Sequence, residues 1–150
     1  MANSMKTANW LHISALVIAL PISGLTAAAP SSDSHQQQKN GPPVLVLGES
    51  TVCEDVRNGD PVRPAVAFSV TLKRVYCFSD FISVLKTSVT YHNWFYRDSL
   101  KASVKLTVRS PRWSTYSSVQ LRDSERGPWR IEITDEEGDI LGTLRFSVID

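Results

Sequence analysis

From Val44 to the end of the chain the apolar residues recur at every second position, a period that leaves room for little besides β-strands. Val66, Phe68, Val70 and Leu72 alternate with Ala67, Ser69 and Thr71. Ala102, Val104, Leu106 and Val108 alternate with Ser103, Lys105, Thr107 and Arg109, the pattern of a sheet with one dry and one wet face. Trp129, Ile131 and Ile133, and then Leu144, Phe146 and Val148, do the same near the carboxy terminus. Turn residues fall between the runs, at Asn58-Gly59-Asp60-Pro61, Arg97-Asp98-Ser99, Ser110-Pro111 and Glu136-Glu137-Gly138-Asp139, the last joining two strands as a hairpin. Strands are expected near residues 44–54, 65–72, 75–80, 89–97, 100–109, 114–121, 129–135 and 140–149. About seven or eight strands at this spacing predict an all-β antiparallel sandwich, immunoglobulin-like in architecture, with a small barrel as the alternative. A chain of 150 residues supplies one such core.

The amino terminus follows another logic. Lys6 precedes an apolar run from Trp10 to Leu25 that ends in Thr26-Ala27-Ala28-Ala29, the charged, apolar and small-residue order of a secretory signal peptide. The leader is expected to span residues 1–28, with cleavage near Ala27 or Ala28, because Pro30 directly after a cut is a poor fit. Pro21 breaks a helix near the end of the run, which argues against retention as a single-pass anchor, the other reading of this segment. Residues 29–43 are rich in Ser, Gln, Pro and Asn and are expected to be a flexible polar linker, with His35 a solvated residue of that linker rather than a metal ligand. The folded domain is then 44–150, exported to the periplasm or secreted, with no stable membrane insertion once the leader is removed.

The formal charge of +1 is too small for a general nucleic-acid binder, which needs a basic excess to displace counterions from phosphates. Catalytic parts are scarce: His92 is the one histidine of the folded region, and no metal-ligand spacing accompanies it. The acidic stretch Asp135 to Asp139 lacks the ligand order of a calcium loop and reads as a solvated turn. No cofactor, metal or catalytic residue is therefore assigned. Cys53 and Cys77 leave two readings open. In an oxidising compartment they form a bridge closing a loop of about 25 residues, contributing roughly 2–4 kcal/mol, or they are two buried thiols packed as small apolar groups.

The richest side chains lie in Tyr91-His92-Asn93-Trp94-Phe95-Tyr96, aromatic on both faces of a strand, and in Arg112-Trp113-Ser114-Thr115-Tyr116-Ser117-Ser118. One aromatic set belongs to the core. The other, with His92, Trp94, Tyr96, Arg112, Trp113 and Tyr116, is a candidate platform on which sugar rings or a partner's side chains stack, Arg112 supplying a planar donor fork. In the competing reading the aromatics simply fill the space between two sheets and Arg112 pairs with a carboxylate.

Taken in order, Cys53-Glu54-Asp55-Val56, Val75-Tyr76-Cys77-Phe78-Ser79-Asp80-Phe81, the Tyr91–Tyr96 and Arg112–Ser118 blocks, and Gly127-Pro128-Trp129-Arg130-Ile131-Glu132-Ile133 resemble the bacterial family called domain of unknown function 2914. The resemblance spans residues 50–150 and implies a bacterial envelope setting, but no activity to transfer. Three functional expectations follow. The first is a non-catalytic module binding glycan, peptidoglycan or an envelope protein; the second is a self-assembling structural domain; the remotest is a small hydrolase.

Overall fold

In the computed structural model of the protein, residues 42–150 are described. The expected leader, its cleavage point, His35 and nearly all of the expected linker lie outside the described residues. Nine strands follow in order: β1 (Leu45–Arg57), β2 (Asp60–Pro64), β3 (Ala67–Ser69), β4 (Arg74–Val84), β5 (Ser88–Tyr96), β6 (Ser99–Val108), β7 (Trp113–Gln120), β8 (Gly127–Asp135) and β9 (Ile140–Ile149). They form a four-stranded sheet, β2-β1-β4-β7, and a five-stranded sheet, β3-β9-β8-β5-β6. The fold is thus an all-β sandwich and not a barrel. Every pairing is antiparallel except that of β3 with β9. Among the described residues no helix is long and apolar enough to cross a membrane.

Two elements depart from the sequence expectation. Asp60–Pro64 is a strand although Asp60 and Pro61 were read as part of a turn between strands. It lies at a sheet edge, where the missing proline N–H removes no ladder bond. The Asn58-Gly59 turn that leads into it has φ of 53° and 89°, the left-handed pair that a two-residue hairpin needs. The expected strand 65–72 shrinks to Ala67–Ser69, because Ser69 accepts a hydrogen bond from the Thr71 N–H and starts a 3₁₀ turn over Val70–Leu72. Only half of that stripe is dry: Phe68 and Val70 are buried, while Val66 is 75% exposed.

Between the sheets lie Trp94, Trp129, Phe146 and Phe68 from the five-stranded side, against Val52, Val75, Cys77 and Phe81 from the other. Trp129 and Phe146, opposite one another on β8 and β9, stack with centroids 5.9 Å apart, and Trp94 meets Phe146 edge-on at 6.2 Å. At Gly142 on the inner face of β9 a Cβ atom would lie 2.7 Å from Leu47 Cδ2, so the absent side chain lets β1 close over this corner.

One residue sets which face of β5 is dry. Tyr96 pairs with Ser99 around the turn and Phe95 pairs with Leu100, but Trp94 then faces Ala102, so Lys101 is an extra residue in β6. The bulge aligns Ala102 and Val104 with Trp94 and His92 on the interior side. Without it Trp94 would face Lys101, His92 would face Ser103, and the apolar stripe of β6 would turn to water. The ammonium of Lys101 reaches the buried carboxylate of Glu125 at 2.8 Å, which anchors the extra residue.

Deleting Lys101 is therefore expected to abolish cooperative thermal unfolding by circular dichroism. Lys101→Met should keep the transition and lower stability by about 1–3 kcal/mol, because Glu125 loses its partner while water still reaches the site.

Candidate functional site

The six residues singled out from sequence do not converge. His92 and Trp94 are each 0% exposed and belong to the interior, so they cannot form part of a surface platform. The bulge at Lys101 is the reason, since it turns their face of β5 inward. Tyr96 is half-buried at the rim, tilted on Trp129 with centroids 5.3 Å apart, and its hydroxyl donates to the Arg126 carbonyl at 2.9 Å. Trp113 is half-buried on the inner side of β7 under the Arg109 guanidinium, 5.1 Å from its ring centre. Tyr116 lies on the outer face of the same strand, and Arg112, which immediately precedes that strand, reaches the face through Asp80.

His92 instead builds a polar bridge between the sheets. Its Nε2 is 3.0 Å from Ser79 Oγ on β4, and its Nδ1 is 2.9 Å from Ser117 Oγ on β7. The indole N–H of Trp94 donates to the same Ser117 oxygen at 3.1 Å. A neutral imidazole has one donor and one acceptor nitrogen, and the two hydroxyls serve both. Burial pulls the His92 pKa from 6.5 down to about 4, so the ring is uncharged near neutrality. A serine–histidine contact also occurs in hydrolases, but there the second ring nitrogen is held by an acid. Here both nitrogens are taken by serines and the group is sealed from solvent.

The cysteines lie on neighbouring strands, yet Cys53 is opposite Tyr76 and Cys77 opposite Val52. Side chains directly opposite share a face, so the two thiols point to opposite sides of the sheet. Both are free and buried, and burial pushes the Cys77 thiol up to about 12 and the Cys53 thiol upward as well. Of the two sequence readings, buried thiols describe this geometry and a bridge does not.

Among the described residues no three His, Cys, Asp or Glu side chains gather into a metal-binding group. Within the acidic turn, Asp135 Oδ1 accepts the backbone N–H groups of Glu137 and Asp139 at 3.1 and 2.8 Å, which braces the β8–β9 hairpin.

Polar and aromatic groups reach solvent together on the outer face of β4 and β7. Tyr116 is 52% exposed and meets Tyr76 edge-on with centroids 6.2 Å apart. Two residues along β7, Ser114 Oγ donates to Asp80 Oδ1 at 2.7 Å, and Arg112 Nη2 donates to Asp80 Oδ2 at 2.5 Å. Arg112 and Ser114 hold the Asp80 carboxyl below the usual carboxylate range although burial opposes them. Asp80 and Tyr76 were not singled out from sequence. The alternation of β4 contained the signal, since Tyr76, Phe78 and Asp80 share one face, but Phe78 made both faces of that strand look apolar.

Fold and site together define a small β-sandwich domain with a polar clasp at its centre and an aromatic, arginine-bearing outer face. Over residues 87–148 it matches the family described as "Protein of unknown function (DUF2914)" and resembles that family there. The matched span takes in the Tyr91–Tyr96, Arg112–Ser118 and Gly127–Ile133 blocks, while those at Cys53 and Val75 precede it. None of the curated proteins matches the chain.

Two measurements follow. Mass spectrometry after alkylation in denaturant without reductant should find two modified cysteines; an unlabelled species lighter by two hydrogens would show a bridge. Between pH 6.5 and about 4 the unfolded chain binds a proton at His92 that the folded chain does not, so stability should fall with pH across that window, by about 3 kcal/mol in total. His92→Gln should flatten the slope there, leaving the loss at lower pH that accompanies protonation of Asp80.

Proposed function

We propose that this chain is an exported, non-catalytic binding module of the bacterial cell envelope, and that its contact surface is the outer face of β4 and β7. The observation that carries the reading is the half-exposed Tyr116 ring on the same face as an arginine fork held by Asp80, whose carboxylate Ser114 in turn positions. Arg112 is four residues from Tyr116, about 13 Å along the strand, but its fork is held on Asp80, whose cross-strand partner Ser114 is two residues, about 7 Å, from Tyr116. A guanidinium carries five N–H donors, and Asp80 engages one edge of this one, leaving the remainder directed to solvent. Sugars present the matching chemistry, an apolar ring face bordered by hydroxyls, and envelope glycan is the preferred ligand. The leader read from the sequence and the resemblance to a bacterial family support the envelope setting.

Co-sedimentation with purified peptidoglycan tests this, with an envelope protein extract run in parallel. Tyr116→Ala should weaken binding roughly 2- to 10-fold, the loss of one stacking contact, with the circular dichroism spectrum unchanged. Unchanged retention by Tyr116→Ala would remove this face from consideration. A mass that rises with concentration in sedimentation velocity would favour self-assembly.

A further inference from the structure

The opposite sheet carries a feature unconnected with that face. On its outer surface Arg130 and Arg145 stand directly opposite on β8 and β9, a like-charge pair that destabilises a sheet when nothing lies between the charges. Arg97, in the β5–β6 turn, is brought to the same place because its backbone N–H donates to the Pro128 carbonyl at 3.0 Å. Its φ of 48° is a left-handed conformation that a glycine or asparagine would adopt more easily. All three arginines line one open cleft of about 510 Å³.

The two carboxylates nearby offset only two of the three positive charges, and both act on one arginine. Asp98 and Glu132 lie 3.2 and 2.9 Å from the Arg130 guanidinium, which also covers the Phe95 ring at 4.3 Å. Arg130 is thereby fixed in place and its charge more than offset. Arg97, whose guanidinium lies over the Tyr96 ring at 5.2 Å, and Arg145 have no ion-pair partner among the described residues, so the three arginines and two carboxylates leave one net positive charge at the cleft. Its apolar part includes Pro128 and the largely exposed Val66. A cleft lined by three guanidinium groups against one carboxylate, Asp98, and flanked by apolar surface has the chemistry of an anion site.

We infer that this cleft binds a small oxyanion, phosphate or carboxylate, carried on an apolar group, with Arg145 and Arg97 taking the charge and Val66 and Pro128 the apolar part. The site is independent of the face formed by β4 and β7, so either can fail without the other.

The full chain is titrated with sodium phosphate, phenyl phosphate and benzoate at constant ionic strength balanced by chloride, while backbone amide shifts of Arg97, Arg145 and Ser147 are followed by NMR. Saturable shifts are expected with each anion, and phenyl phosphate should bind more tightly than phosphate. Arg145→Gln should weaken phenyl phosphate about ten-fold, the loss of one charge-assisted contact, whereas Arg109→Gln, on β7's side of the molecule, should leave it unchanged. Shifts that do not saturate, or that persist equally in Arg145→Gln, overturn the site. Equal affinity for phosphate and phenyl phosphate overturns the apolar half of the assignment.

Discussion

The hydrogen bonds that His92 makes to Ser79 and Ser117 join β5 in one sheet to β4 and β7 in the other, inside a space that excludes water. Purely apolar layers tolerate sliding, because one leucine-sized group is much like the next. Here a slip of β4 by two residues would bring Cys77 or Phe81 to the imidazole in place of Ser79 and leave a buried nitrogen unpaired. Each such orphan costs about 1–3 kcal/mol, a large share of the stability of a small domain. The bridge therefore fixes how the two sheets align as well as how firmly they adhere. Among the described residues no buried side-chain nitrogen or oxygen lacks a partner, as expected if the alignment is the intended one.

The strands themselves were legible in the sequence because their period is a local property. Val104, Leu106 and Val108 declare a dry face of β6 without reference to anything else, and β6, β8 and β9 appear where the alternation puts them. The orientation of β5 was not legible in the same way. Tyr91 and Phe95 on one side and His92, Trp94 and Tyr96 on the other are equally suited to a core, so pattern alone has no preference. The choice depends on pairing with β6, and a two-residue turn closed at Arg97-Asp98 without a bulge gives the wrong face. Lys101 has no side-chain feature that announces an insertion; its role follows from Glu125, a contact between residues far apart in the chain. The same distance hid Asp80 as the partner of Arg112, since a carboxylate on β4 meets β7 only through sheet order. Cys53 and Cys77 show the rule again, because adjacency of their strands leaves the side of the sheet undecided until the register is known.

Arginine placement separates the two outer surfaces. Arg112 is anchored by a buried carboxylate, so its fork is rigid and its charge balanced, conditions suited to directing hydrogen bonds at a neutral polar ligand. Arg145 has no ion-pair partner among the described residues and stands against another arginine, which suits neutralisation of a negative ligand. A formal charge of +1 for the whole chain gives no hint of this contrast. Net charge reports on solubility and long-range steering, whereas the uncompensated positions appear only once the ion pairs are assigned.

The core bridge and the face of β4 and β7 are mechanically linked. Along a strand successive side chains point to opposite sides, so the residue next to one that grips the interior emerges on the surface. Ser117, bound to His92 and Trp94, is followed backward by Tyr116, and Ser79 is followed forward by Asp80. The imidazole thus pins β4 and β7 from behind at the two points where the stacking ring and the anchor of the arginine fork leave the sheet. A ligand of the proposed kind would meet groups on strands already held from behind, so less ordering entropy would oppose its binding. On this argument a polar residue in the dry centre and an aromatic at the wet surface are parts of one device: the first sets the geometry in which the second is presented.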